Sequence, residues 1–238
     1  MVTRIPALIA ILVFTAASAV PAQVRQSVTG AQDAGRLNAD AALKRLKDGH
    51  ARFLADKPAP RDLGMKQRVR LAMEQRPFAV ILTCADSRVS PELIFDQGLG
   101  DLFVLRIAGN VSDPGIVGSI EYAVEHLRCP LIVVLGHESC GAVKAAMNLD
   151  EVHGNLGSLI EQVRLGKGTS PEPNVALNQA VINNAIHHAG ELTYKSSVIK
   201  DAAASEQVQI VPGTYSLSTG DVTWLELRRS KGEKSGSH

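Results

Sequence analysis

The sequence predicts an α/β domain of three layers built on a mostly parallel central sheet, and three observations carry that prediction. Phe78 to Leu82 and Leu131 to Leu135 are apolar without a break. A strand that does not alternate is buried on both faces, the condition of a parallel sheet covered by helices. Stretches of helical periodicity separate these runs from each other and from further strand-like runs at Leu102 to Ile107 and Gln207 to Val211, the alternation that builds parallel sheets. Finally, both solid runs end abruptly in residues that carry chemistry: Cys84, Asp86 and Arg88 after one, His137 and Cys140 after the other. The carboxyl edge of such a sheet is where α/β domains keep their ligands.

Taken in order, the chain opens on a segment outside the fold. Arg4 gives a positive start, Ile5 to Phe14 is apolar except for Pro6, and Ala17-Ser18-Ala19 or Val20-Pro21-Ala22 offers small residues for cleavage. That order predicts a signal peptide over residues 1–22, cut after residue 19 or 22. The apolar run is too short to span a bilayer, and no cysteine follows it to hold a lipid. The expectation is an exported protein, periplasmic or secreted, with no membrane attachment after cleavage. With 238 residues and 45% hydrophobic content, the rest can bury one core, so a single domain over residues 38–227 is expected. A formal charge of +1 gives no reason to expect nucleic acid as a partner.

Residues 23–37 are polar and read as a flexible lead-in. Asn38 or Asp40 can cap a helix whose stripe is Ala42, Leu43, Leu46, His50, Phe53 and Leu54, and Pro58-Ala59-Pro60 ends it. His50 on that stripe is expected to be a packed core residue. Met65 to Gln75 reads as a short helix before the first strand. Pro91 to Phe95 opens another with proline in its first turn, and Asp113-Pro114-Gly115 is an N-cap with proline at N1 for a helix to about Leu127. Cys129 then reads as a buried thiol. Helices follow over Ala142 to Leu149, Leu156 to Leu165 and Val175 to Leu192. Adjacent His187 and His188 point about 100° apart on the last of these and cannot share a metal; they are expected at a surface or interface. Thr219-Gly220-Asp221 turns the chain into a final strand, Val222 to Leu227, before a solvated charged tail from Arg228.

If the two solid strands lie near each other, Cys84, His137 and Cys140 converge from two strand ends. Two sulfurs and one imidazole with a free fourth position make the ligand count of a catalytic zinc site. Ser139 can cap a helix starting near Cys140, whose amino terminus favours a thiolate. Asp86 is placed to accept a proton, and Arg88 can hold it ionised in a bidentate pair. A lone cysteine is usually a small buried hydrophobe; the weight here comes from two such fragments, each directly after a strand.

Cys84-Ala85-Asp86-Ser87-Arg88 and His137-x-x-Cys140 resemble, in order and type, the two signature motifs of the β-class carbonic anhydrases. Gly100 to Asn110 and Ser119 to Ala123 also look like family segments, and the resemblance runs from about Leu43 to Leu227. Ile107 departs from it, standing where the family often has Asn, outside the proposed ligand set. The resemblance implies four parallel strands with a fifth antiparallel, and one zinc ion per chain. It also implies reversible hydration of carbon dioxide to bicarbonate and a proton by zinc-bound hydroxide. Phe103, Ala108 and Tyr122 would line an apolar pocket, with Tyr122 from the neighbouring subunit; Gln75 would hydrogen-bond the substrate and Gly141 lie beside it. A homodimer or homotetramer is implied, with the first helix packed on the partner. Some family members close at low pH and bind bicarbonate at a pocket that includes a Trp; here that position is Ile81, so with Arg106 and Tyr215 alone the pocket is incomplete and an open site is expected. The same scaffold could instead hydrolyse carbon disulfide or carbonyl sulfide. A purely structural zinc site would need a fourth Cys or His.

Export is tested by the mature amino terminus. Val20 or Gln23 is expected in protein from the native host, and an intact Met1 on soluble cytoplasmic protein would rule export out.

Overall fold

The computed structural model describes residues 36–148, 152–166 and 170–227. The expected signal peptide, nearly all of the lead-in and the charged tail lie outside these residues. A compact unit begins at Leu37. Its strands are β1 (Ala79–Thr83), β2 (Leu102–Arg106), β3 (Leu131–His137), β4 (Gln209–Tyr215) and β5 (Val222–Trp224). The helices are α1 (Ala39–Leu54), α2 (Met65–Met73), α3 (Pro91–Ile94), α4 (Pro114–Glu125), α5 (Gly141–Ala146), α6 (Asn155–Ile160), α7 (Pro173–Lys195) and α8 (Ser197–Ala204). The sheet runs β2-β1-β3-β4-β5; the first four strands are parallel and β5 is antiparallel to β4.

Every residue of β1 and β3 is buried, whereas β2, at the edge, is only half-buried. Alternate side chains leave opposite faces of a strand, and the core divides accordingly. Val80, Leu82, Ile132 and Val134 share one cluster with Val117 and Ile120 of α4, Leu192 of α7 and Ile199 of α8. Ala79, Ile81, Leu131, Val133 and Leu135 share the other with Ala42 and Leu46 of α1, Ile94 of α3, Phe95 and partly buried Trp224. Helix, sheet and helix form the three expected layers.

Asn38 is the cap of α1, its Oδ1 accepting the Ala41 N–H at 2.8 Å. One face of the helix packs on its own chain's sheet. It has a physical reason to stay: α3 is short, and without α1 the lower cluster would face water. His50 is buried as expected. Val222 N–H donates to its Nε2 at 3.1 Å, so Nδ1 carries the proton and donates to the Ile94 carbonyl at 3.1 Å. Leu54 leaves the stripe and is exposed.

Boundaries differ where side-chain pattern is weak. The fourth strand runs on through Pro212 and Gly213 to Tyr215; Pro212 is tolerated because pairing with β5 begins one residue later, at Gly213. The last strand stops at Trp224. Helix α8 was not anticipated, although Ser196 Oγ accepting the Ile199 N–H at 3.1 Å is a cap signal visible in the sequence. His188 is buried and bonded to Ser112, which corrects the expectation of a surface residue. Cys129 is buried before the amino end of β3.

Asp96 ties the chain after α1 back to α3. Its side chain is wholly buried and accepts from Arg52 Nε (2.6 Å), Arg61 Nη2 (2.8 Å) and Ala59 N (2.9 Å). Burial pushes its carboxyl pKa up, but the Ala59 N–H and the two guanidiniums outweigh this and hold it below the ordinary value. A lowered folded-state pKa means stability fully present above about pH 4 and lost as pH falls through the lowered value. Asp96→Asn should therefore cost about 1–3 kcal/mol at pH 7, with the gap from wild type narrowing in acid. Urea denaturation across that range checks it; a gap independent of pH would contradict the account.

Candidate metal centre

The site begins with a register. Thr83 lies opposite Leu135 across the β1–β3 ladder, and its buried hydroxyl donates to the Leu135 carbonyl at 2.9 Å. The residue after β1 is Cys84, and the last residue of β3 is His137, so both emerge at the same edge. Between His137 and Cys140 the chain must reverse, and Ser139 adopts φ +54° to do so. Cys140 itself is the N-cap residue of α5, with no side-chain cap bond. The expected Ser139 cap is absent because that left-handed turn leaves the serine exposed.

One ligand atom from each of Cys84, His137 and Cys140 lies within 4.8 Å of the others, and all three residues are buried. His137 Nδ1 is 2.8 Å from the Glu138 carbonyl, which can only accept, so Nδ1 carries the proton and Nε2 presents a lone pair. That Nε2 is buried without a hydrogen-bond partner. An orphaned acceptor beside two sulfurs 4.0 Å apart is a cost that a soft divalent cation removes, so the residues present fit a metal. The hydrogen bond from Cys140 pushes the Cys84 thiol strongly down against burial, with the Gly109 N–H assisting, while the same contact and burial push Cys140 up.

Asp86 faces this donor set. Its Oδ2 is 3.9 Å from His137 Nε2, but both oxygens are taken by Arg88: Nη2 to Oδ2 at 2.7 Å, Nε and the backbone N to Oδ1 at 2.9 Å each. The Arg88 guanidinium holds this carboxyl well below the usual range. Arg106, grouped in the sequence with a missing anion pocket, instead donates to the carbonyls of Asp86 (2.6 Å) and Cys84 (3.4 Å). Nothing in the sequence marked that role, since the contact spans two neighbouring strand ends. Ile81 is fully buried in the core. Glu138 Oε2 accepts from Ser216 Oγ (2.8 Å), Ser218 N (3.0 Å) and Ser218 Oγ (2.9 Å), fastening the loop after β4 to the motif.

Of the residues expected to meet substrate, Ala108 opens the turn in which the Gly109 N–H donates to Cys84 Sγ at 3.4 Å. Gly141 is exposed at the start of α5 beside Cys140. Phe103 lies opposite Val80, three residues short of the strand end, with its ring 6.4 Å from that of Tyr122. Tyr122 is 46% exposed on α4. Gln75 is exposed ahead of the amino end of β1, whereas Cys84 follows its carboxyl end. The single chain thus assembles the three ligands with Asp86, Arg88 and Ala108, and leaves Gln75 and Tyr122 turned to solvent.

The family model described as carbonic anhydrase matches residues 79–222. The carbonic anhydrase of Mycolicibacterium smegmatis is 43% identical over 204 residues, covering 82% of this chain and 96% of that protein. Carbonic anhydrase 2 of Mycobacterium tuberculosis is 43% identical over 191 residues, covering 77% and 91%. Among solved structures, the β-carbonic anhydrase CafA of Aspergillus fumigatus superposes with a TM-score of 0.63 at 27% identity over 80% of this chain and 91% of that one. Matched from its first strand to the start of its last, and so through both strand ends that carry the ligand atoms, the chain belongs to the β-class carbonic anhydrase family.

Proposed function

We propose that this protein hydrates carbon dioxide reversibly to bicarbonate and a proton, using one zinc ion held by Cys84, His137 and Cys140. The observation that carries the reading is the bare, buried and unpartnered Nε2 of His137 between two thiols, with an ionised carboxylate 3.9 Å away. Zinc bound there supplies a Lewis acid that makes hydroxide available at neutral pH.

The chain's residues do the rest. Asp86 Oδ2 accepts a hydrogen bond from water in the space the three ligands surround, orienting it, and Arg88 keeps that carboxylate charged and aimed. Because both Asp86 oxygens are engaged by Arg88, the carboxylate is held off the ligand position, which supports an open site. Arg106, bound to the carbonyls of Cys84 and Asp86, fixes the backbone between ligand and acceptor. Ala108 and Phe103 supply apolar surface for an uncharged substrate. The exposed Gln75 and Tyr122 support a homodimer or a larger assembly in which a second copy brings them to the pocket. The amino-terminal pattern supports export to the periplasm or beyond.

Purified protein should carry about one zinc per chain by elemental analysis, and Cys84→Ser, His137→Ala and Cys140→Ser should each lose metal and hydration activity. A fully active metal-free preparation would overturn the proposal. Asp86→Asn should keep zinc yet lose about a hundredfold or more in kcat; full activity would remove Asp86 from the reaction. A crystal structure at pH 7 with an Asp86 oxygen about 2.0 Å from zinc would contradict the open site. Sedimentation should show no active monomer, and Tyr122→Ala should weaken substrate handling without loss of zinc.

A further inference from the structure

Helix α7 carries a polar stripe that faces the site loop. Asn184, His188, Glu191 and Lys195 recur at helical spacing along it. The Ser112 N–H donates to His188 Nδ1 at 3.1 Å, and Lys195 Nζ donates to the Ser112 carbonyl at 2.8 Å. One turn before His188, the fully buried Asn184 uses both ends of its amide. Nδ2 donates to the Gly109 carbonyl at 2.7 Å, and Oδ1 accepts the Arg164 N–H at 2.8 Å. The segment from Gly109 to Ser112 is therefore fastened to α7 at both ends.

What Asn184 fastens is the residue that touches the metal ligand. The Gly109 N–H donates to Cys84 Sγ at 3.4 Å. Gly109 sits at φ +74°, and a Cβ there would lie 3.1 Å from Val163 Cγ2 and 3.3 Å from Ala142 Cβ, so a side chain at this position would be both strained and crowded. Its carbonyl is held by the Asn184 amide and its N–H is spent on sulfur. An N–H···S bond draws electron density from a thiolate, which weakens its donation and leaves a bound metal more electrophilic; it also fixes the ligand's direction before metal arrives.

We propose that Asn184 is a positioning residue for the metal ligand Cys84, acting through Gly109 to aim its N–H at the sulfur. The inference rests on the zinc reading above. A plainer role for Asn184, satisfying buried backbone groups to stabilise the fold, is separable because a neighbour offers the control. Asn183 Nδ2 donates to the Leu165 carbonyl at 2.8 Å, joining the same helix to the same 161–166 segment without touching Gly109.

The test compares cobalt-substituted wild type, Asn184→Leu and Asn183→Ala. In Asn184→Leu the sulfur-to-cobalt charge-transfer band should move to longer wavelength, and zinc affinity, read by competition with a chelator, should fall about tenfold or more. Asn183→Ala should lower thermal stability while leaving band and affinity at wild-type values. Should Asn184→Leu not fold, Asn184→Ser, smaller and still polar, is read the same way. In cadmium-113 wild type, the Gly109 amide proton should show scalar coupling to the metal through Cys84, and the coupling should weaken in Asn184→Ser. An unchanged band and affinity at position 184, an equal change at position 183, or no coupling at Gly109 would each overturn the inference. A wild type that takes up no cobalt or cadmium would instead overturn the zinc reading, a distinct failure.

Discussion

The pairing of β1 with β3 is the constraint on which the rest depends. A register slip of one residue would turn every side chain of a strand to the other face. Here both faces are filled by different helices, so a slip would misplace two cores at once. Thr83 adds a side-chain bond to the Leu135 carbonyl at the last rung. Cys84 and His137 meet only because that rung is where it is. The strong burial of the two strands does not itself do chemistry; it removes the freedom that would otherwise let the ligands drift apart.

Around that edge the remaining groups are arranged by charge. Arg88 and Arg106 hold the Asp86 residue by its two different ends, the first at the carboxylate and the second at the backbone carbonyl. Glu138 draws in a serine loop from β4. The Arg106 and Glu138 contacts join neighbouring strand ends and the Arg88 contact lies within one loop, so none costs a long excursion of the chain. The donor set is thus framed on one side by β2 and on the other by β4, both placed by the same ladder.

The central sheet and the convergence of Cys84, His137 and Cys140 were legible in the sequence because both are written in short patterns. Unbroken apolar runs at Phe78 to Leu82 and Leu131 to Leu135 mark central strands, and the chemistry follows each at once. The helix caps at Asn38 and Asp113 were legible for the same local reason. What stayed hidden depends on partners distant in the chain. Asn184 looks like any helical asparagine until its contact with Gly109, and Arg106 reads as a strand-end charge until the Asp86 carbonyl is placed beside it. His188 seemed superficial because its helix has no sharp apolar face; its burial follows from Ser112, far earlier in the chain. The lodging of α1 on its own sheet was likewise a matter of which surface lay uncovered.

That lodging bears on how the chain comes to its folded state. His50, near the end of the first helix, completes its hydrogen bonds only with Val222, 172 residues later, and Lys47 of the same helix lies over Trp224, its ammonium 5.6 Å from the ring centroid. During synthesis α3 and the central strands offer most of the docking surface of the first helix early, but Val222 and Trp224 complete it only when nearly the whole described chain has been made. Contacts this far apart in sequence close late and slowly. The element made first therefore reaches its final hydrogen bonding only after the last strand has been made.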